Sequence, residues 1–345
     1  MNRQRPKVRA GRLVAAVLAA AAPVAYGFFS TEFRGRSTPD GSVVEIRVPE
    51  GTSSGGVARV LEEAGLISHP GVFDAYVRVR GDSRTLKAGR YEIPRGVSYG
   101  YLLETLRSGA VATTPLTIPE GLGVTEITER LAAYTGDSVA AVRAFLADPA
   151  RVSELDVPGP TLEGYLFPET YRFADGVGFP VIVTAMVGRY HAFWADEERA
   201  EAAALGLDER EVVTLASIVE KEVRRGAERP VVAGVYWNRL QLGMLLQADP
   251  TVHYALGEPR SRLLYRDIDA VAEHPYNTYT QPGLPPGPIA SPGVASLRAA
   301  LNPADHDYIF FVARADGSHE FTRTLREHNA AISRIRLARD AAADR

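Results

Sequence analysis

Apolar residues recur with a helical period along most of this chain and with a strand period in only a few short stretches. Val43 to Val48 alternates as a strand does, and Pro49-Glu50-Gly51-Thr52 reads as a turn. Helical patterns follow from Gly56 to Ala64 and from Val72 to Val79. Gly89 to Ile93 then reads as a strand and Ser98 to Arg107 as a helix. The same order recurs downstream. Thr114 to Ile118 alternates, Pro119-Glu120-Gly121 repeats the earlier turn, and helices are predicted from Thr125 to Tyr134 and from Ser138 to Leu146. Two related small α+β units are therefore expected.

The pattern changes character at Leu162. Glu163-Gly164-Tyr165-Leu166-Phe167-Pro168-Glu169-Thr170-Tyr171 is dense in aromatics and carboxylates and bounded by turns. One long helix is predicted from Val181 to Ala204. A second, from about 209 to 224, has Asp208 as N-cap, an acidic first turn, and Val212, Leu215, Val219 and Val223 at helical spacing. A third, from Arg229 to Gly243, carries Trp237, Asn238 and Arg239. From 244 onward the chain reads as loop-rich. Residues 281–293 hold five prolines and three glycines, which suits a stiff loop shaping a cleft. A short helix from Val294 to Leu301, a strand from Tyr308 to Val312, a hairpin turn at Ala315-Asp316-Gly317-Ser318 with Glu320-Phe321-Thr322 returning, and a polar helix from Leu325 to Asp340 complete the pattern.

The N-terminus adds a membrane question. Arg3, Arg5, Lys7, Arg9 and Arg12 precede an apolar run from Leu13 to Phe29, and 17 residues at 1.5 Å each span roughly 26 Å. The basic flank predicts a cytoplasmic tail at 1–12, a transmembrane anchor at 13–29 and a linker at 30–43, with the remainder outside the cytoplasm. Ala25-Tyr26-Gly27 could form a cleavage site, but the bulky Phe28-Phe29 beyond it favours an uncleaved anchor.

The 345 residues exceed one ordinary domain. The divisions expected are a small α+β module at 44–113, a second small unit at 114–160 and a mixed α+β catalytic domain at 161–335. The net charge of −3 offers no basic footprint, so nucleic acid is not an expected partner. With no cysteine, disulfides, thiolate metal sites and a cysteine nucleophile are excluded. The seven histidines make no H-E-x-x-H pattern, and His319 and His328, nine apart, fit no common zinc spacing, so neither metal nor cofactor is expected.

The candidate chemistry centres on Ser217-Ile218-Val219-Glu220-Lys221-Glu222. Two carboxylates close an otherwise apolar helical run. On a helical wheel Glu222 projects between Ile218 and Val219, and Glu220 lies beside Val213 and Ala216. A carboxyl at the edge of an apolar face is desolvated, its pKa rises, and it can then act as a general acid near neutral pH. The alternative is ordinary surface pairing with Lys221, Arg224 or Arg225. Periodicity does not choose between Glu220 and Glu222. Glu163 is a further carboxylate in an aromatic setting. Tyr165, Phe167, Tyr171 and Trp237 could stack on sugar rings, with Phe167 and Trp237 read as core. Gln247, Asp249, Asn277 and Thr278 are polar among apolar neighbours, and they either satisfy one another or face a glycan.

These segments point to a family. Glu163 to Tyr171, Ala216 to Glu222, Asn238-Arg239-Leu240, Leu246-Gln247-Ala248-Asp249-Pro250-Thr251-Val252, Tyr276-Asn277-Thr278-Tyr279 and Gly283 to Ile289, in this order, resemble the YceG-like family of endolytic murein transglycosylases. Glu169 stands where many members have aspartate, which keeps the carboxylate. The resemblance implies a single-pass protein of the inner membrane with its catalytic domain outside the cytoplasm, and a LysM-like module ahead of that domain. It implies peptidoglycan glycan strands as substrate and partner, cut within the strand to limit its length, and peptidoglycan synthases as further partners. It also implies that the catalytic glutamate is Glu222. Glu163, Tyr165, Gln247, Asp249, Tyr276, Asn277, Thr278 and Tyr279 are then expected to hold the sugar. Two other readings remain: a muramidase with Glu163 or Asp249 as a second carboxylate, and a glycan-binding scaffold without activity.

Overall fold

The computed structural model describes residues 43–83, 85–109, 113–258, 260 and 263–343. The expected tail, anchor and nearly all of the linker (1–42) lie outside the described residues. No helix among the described residues is long and apolar enough to cross a membrane. The fold is mixed α+β, with three two-stranded sheets among the described residues. The chain divides into two compact units: one runs to Pro115 and includes Arg172–Gly176, and the other holds Leu116–Tyr171 and the chain from Val177 onward.

In the first unit, β1 (Val43–Val48) is followed by α1 (Ser54–Glu63), α2 (Pro70–Val79), β2 (Gly89–Pro94) and α3 (Tyr99–Ser108). β1 and β2 pair antiparallel, with Val43 opposite Pro94 and Val48 opposite Gly89. Strand alternation turns Ile46, Val48, Tyr91 and Ile93 inward onto Val57, Leu61, Phe73, Val77, Leu102 and Leu106. Ser53 and Ser98 cap α1 and α3 by accepting from Gly56 N and Tyr101 N.

The order then repeats: β3 (Thr113–Thr117), α4 (Val124–Thr135), α5 (Val139–Leu146) and α6 (Pro149–Glu154) lead to β4 (Thr170–Ala174), which pairs with β3. Both Pro-Glu-Gly turns place their glycine in the left-handed region, Gly51 at φ 72° and Gly121 at φ 76°. Thr170–Ala174 is not among the expected strands; it alternates polar and apolar from Thr170 to Phe173, and β3 supplies its partner.

The remaining elements are α7 (Phe179–Phe193), α8 (Asp196–Leu205), α9 (Glu209–Glu222), a 3-10 turn (Gly226–Glu228), α10 (Arg229–Gln241), α11 (Asp249–Leu256), α12 (Tyr265–Ala270), α13 (Val294–Leu301), β5 (Phe310–Ala313), β6 (His319–Thr322) and α14 (Leu325–Ala343). β5 and β6 form an antiparallel hairpin with Phe311 opposite Phe321. The single helix expected from Val181 to Ala204 is two. Trp194 leaves the helical region at ψ 89°, and its ring is buried in the core. Asp196, Glu197 and Glu198 form an acidic first turn, and the Glu198 carboxylate accepts from Ala195 N at 3.1 Å. The segment after 244 is also more ordered than its composition suggested. Asp249 and Pro250 stand at the first positions of α11, where a missing N–H and an acidic side chain are both favourable.

Helix α9 is enclosed rather than one-sided: every residue from Val212 to Val219 is buried. Asp208 accepts from Glu211 N at 2.8 Å, and the Glu211 carboxylate accepts from Asp208 N at 2.9 Å. The helix stops at Glu222 because Val223 is extended, φ −91° and ψ 121°. Its apolar surroundings include α10, α13 and the proline-rich segment, whose Ile289 N donates to Ser217 Oγ at 3.0 Å.

Candidate active site

The two carboxylates at the end of α9 have different surroundings. Glu220 Oε2 accepts from Ser296 Oγ at 2.7 Å and from Gly293 N at 3.2 Å, and Oε1 accepts from Arg229 Nη2 at 3.2 Å. Gly293 is the N-cap of α13, so Glu220 satisfies a helix terminus and a part-buried arginine. Glu222 has one hydrogen bond of this kind, from the Tyr236 hydroxyl to Oε1 at 2.9 Å, and it lines a cleft.

The cleft measures about 410 Å³. Its polar lining includes Glu222, Tyr236, Arg239, Gln247, Asp249 and Tyr279, with His319 and His328; its apolar lining includes Phe310, Phe311 and Val312 of β5 and Leu325 and Ile332 of α14. A neighbouring cavity of about 320 Å³ shares Glu222, Asp249, Ala313 and His319, and adds Lys221, Arg224, His253 and Arg314. Burial pushes the Glu222 carboxyl up to about 7, the Tyr236 hydrogen bond opposes this, the Asp249 charge adds to it, and Arg239 lowers it. The carboxyl is thus poised to carry a proton near neutral pH and to release it to a bound group.

The neighbours of Glu222 are themselves held in place. Arg239 donates to Ile309 O at 2.7 Å and Leu246 O at 2.6 Å, and its guanidinium lies 5.2 Å from the Phe310 ring centroid. The Tyr279 hydroxyl donates to Asp249 Oδ1. Burial, then that bond, raises the Tyr279 phenol, so it stays a donor. Gln247 sits at φ 49°, a left-handed conformation unusual for glutamine, and its N–H donates to Thr278 O at 3.0 Å. Backbone of this kind persists only where surrounding bonds hold it.

Glu163 belongs to a second cluster. Its carboxylate accepts from Val124 N, the first residue of α4, at 3.1 and 3.3 Å. Burial pushes Glu163 up to about 7, with Val124 N–H opposing and the Glu126 charge adding. Burial and the nearby Glu163 charge raise the phenols of Tyr254 and Tyr276, whose rings lie 4.7 Å apart. The Gly164 that follows is at φ 86°, and a Cβ there would fall 2.3 Å from Pro288 Cγ, so the turn presses directly on the proline-rich segment.

Of the residues expected to hold a sugar, Gln247, Asp249 and Tyr279 line the Glu222 cleft, and Glu163 and Tyr276 form the second cluster. Three of the expected residues are buried. Tyr165 is 0 % exposed, with its ring 5.1 Å from Tyr190 in the core. Asn277, also 0 % exposed, donates to Ile268 O and Val271 O at 3.0 Å and accepts from Tyr279 N. Thr278 Oγ1 accepts from Ala248 N at 2.9 Å and bonds Thr251 Oγ1 at 2.8 Å. Asn277 and Thr278 therefore fix the loops that carry Gln247, Asp249 and Tyr279. Trp237, read as core, is half-buried and lines a groove with Leu284, Pro285 and Pro286. Tyr236, Arg239, His319 and Phe310 were not singled out for the site. Tyr236 and Arg239 stand three apart on α10, a spacing that puts two polar tips on one face of an apolar helix, and this was the available signal.

The fold and the site define a mixed α+β protein with a desolvated glutamate, Glu222, in an aromatic-walled cleft. The chain belongs to the YceG-like family, whose model matches residues 46–334. A Bacillus subtilis (strain 168) protein named endolytic murein transglycosylase is 35 % identical over 306 residues, covering 84 % of each chain. A Streptococcus pneumoniae serotype 2 protein of the same name is 28 % identical over 320 residues, and the match spans 84 % of this chain but 58 % of that protein. The crystal structure of a yceG-like protein from Listeria monocytogenes aligns with a TM-score of 0.58 at 34 % identity, over 84 % of this chain and 99 % of that one.

Proposed function

We propose that this protein is an endolytic murein transglycosylase, cutting peptidoglycan strands internally at the bond between N-acetylmuramic acid and N-acetylglucosamine. The observation that carries the reading is the geometry of Glu222: a desolvated carboxyl, held by Tyr236, opening onto a cleft of sugar-compatible polar and aromatic groups. The names of the relatives support it.

Protonated Glu222 donates to the glycosidic oxygen as the C1–O bond breaks and an oxocarbenium-like centre develops. The muramic C6 hydroxyl then attacks C1 and closes a 1,6-anhydro ring. The proton shed by that hydroxyl returns to the Glu222 carboxylate, and no water is consumed. The Asp249 charge favours the developing cation, while Gln247, Tyr279 and Arg239 supply hydrogen bonds at the cleft. The apolar wall from β5 and α14 offers a surface for the apolar side of a sugar. Glu163 and Tyr276 are assigned to a neighbouring part of the same glycan.

Residues 161–335 form the catalytic domain in this reading. Residues 44–113, with the order strand-helix-helix-strand, act as a LysM-like glycan-binding module, and 114–160 form a second small unit. The 13–29 anchor holds the enzyme on the inner membrane facing the wall, beside peptidoglycan synthases. A C-terminally tagged chain recovered in the soluble fraction would remove the anchor.

Because Asp249 shares the cleft with Glu222, a hydrolase using both carboxylates is the competing reading. Mass spectrometry of glycan strands digested in heavy-oxygen water separates the two. The expected products are 1,6-anhydro ends that disappear with Glu222→Gln. Labelled reducing ends would establish the hydrolase, and uncut strands would leave only glycan binding.

A further inference from the structure

His319 opens β6 and is gripped twice by one carboxylate. Its backbone N–H donates to Glu228 Oε1 at 3.1 Å, and its ring Nδ1 lies 2.6 Å from Glu228 Oε2. Glu228 closes the 3-10 turn that leads into α10, 91 positions away in sequence. A carboxylate can only accept, so Nδ1 carries a proton, and in the neutral ring Nε2 is the lone-pair nitrogen. The Phe311 ring meets the imidazole edge-on at 5.3 Å and limits its rotation.

His319 lines both the cleft and the adjoining cavity, in company with Glu222 and Asp249. With Nδ1 committed to Glu228, the Nε2 edge is what the ring can present to a ligand there. The other histidine of the cleft, His328, differs. Its ring stacks on Phe310 at 5.2 Å, and among the described residues its buried Nδ1 has no hydrogen-bond partner. An imidazole oriented through Nδ1 by a carboxylate, with Nε2 facing the reacting groups, is an arrangement that takes up a hydroxyl proton and stabilises the imidazolium so formed.

We infer that Glu228 and His319 form a second proton-carrying element of this cleft, with His319 Nε2 receiving the proton of the attacking sugar hydroxyl and passing it to the Glu222 carboxylate. The inference rests on the transglycosylase reading and deepens it. The C6 oxygen–hydrogen bond breaks as the C6 oxygen forms its bond to C1, and the proton moves to Nε2. The same proton then replaces the one Glu222 gave to the leaving oxygen. His319 ends neutral, Glu222 ends protonated, and nothing is oxidised, reduced or hydrolysed. The relay lets proton delivery and proton removal occur at two separate oxygens of the substrate without one carboxyl serving both positions. It also favours the internal hydroxyl over water as the attacking group.

The test uses the full-length protein in detergent, with purified glycan strands and heavy-oxygen water, scoring anhydro ends and labelled reducing ends together. His319→Ala is expected to lower kcat for anhydro ends on the order of 100-fold. KM should change little, the share of labelled reducing ends should rise, and added imidazole should restore part of the anhydro product. Glu228→Gln keeps the size of the side chain but not its charge, and should shift the product ratio the same way by a smaller factor. It decides the matter if His319→Ala fails to fold. The inference is overturned if His319→Ala melts like the wild type and keeps the wild-type product ratio without imidazole rescue, or if Glu228→Gln leaves both rate and ratio unchanged. A wild-type enzyme producing no anhydro ends would remove the transglycosylase reading itself.

Discussion

The Tyr236 hydroxyl on α10 donates to Glu222 Oε1 on α9 at 2.9 Å, and this single bond opposes the burial that keeps the glutamate protonated. The bond favours the charged carboxylate, burial favours the neutral acid, and the balance places the group at about 7. Cleavage that needs the protonated acid should therefore decline as pH rises through that value. Tyr236→Phe removes the hydrogen bond that opposes burial, so its alkaline limb should move to higher pH. Its maximal rate should drop roughly tenfold as the carboxyl loses its tether. The pH dependence of kcat in both proteins checks this, and an unmoved limb would sink the idea.

Glu222 and Glu163 also tie stability to pH. Both are raised from 4.5 to about 7 in the folded chain. Below 4.5 folded and unfolded chains hold these protons alike. As pH rises from there towards 7, the unfolded chain gives them up and the folded chain does not, so stability is lost across that window. Each carboxyl then costs the folded state roughly 3 kcal/mol at pH 8. Glu222→Gln removes one share, so it should melt above the wild type at pH 8, with the gap closing towards pH 4. Parallel thermal melts at the two pH values measure it.

Glu220 predicts the opposite kind of variant from Glu222. Glu220→Ala leaves the part-buried Arg229 with only the longer pair to Glu120 at 3.7 Å and its bond to Ser296 Oγ, and strips Gly293 N and Ser296 Oγ of their acceptor. A loss of about 3 kcal/mol is expected, with cleavage per folded molecule retained. Urea unfolding combined with activity normalised to folded protein would expose the error if Glu220→Ala were stable and inactive.

Gly164→Ala should fail on sterics and backbone together. The new methyl would meet Pro288 Cγ at 2.3 Å, with φ at 86°. A destabilisation of at least roughly 3 kcal/mol follows. A melting temperature within a few degrees of the wild type would contradict the tight packing of this turn on the proline-rich segment.

Local signals in the sequence reached the helices well and the site only partly. Asp208 and Glu211 announced the start of α9, and the capping bonds between them are present. The end of α9 could not be resolved in the same way. Glu220 and Glu222 both flank an apolar stripe, and what separates them is Gly293 and Ser296 against Tyr236, partners brought in by tertiary packing. The break at Trp194 was hidden because the flanking residues keep a helical period across it, although the acidic run Asp196 to Glu198 marked a new N-terminus. Asn277 and Thr278 looked like ligands because polar residues in an apolar stretch demand partners, and here neighbouring loops supply them. His319 was weighed only for metal spacing, and its carboxylate partner lies 91 positions upstream.

The apolar wall of the cleft comes from β5 and α14, with Ile332 the last residue to line it. A ribosome making this chain finishes Glu222 long before that wall exists. A prematurely terminated product ending before the hairpin would hold the acid but no cleft in which to seat a strand. Competence to cut thus waits on synthesis through Ile332, and frameshifts or nonsense changes anywhere upstream of it should yield inert fragments.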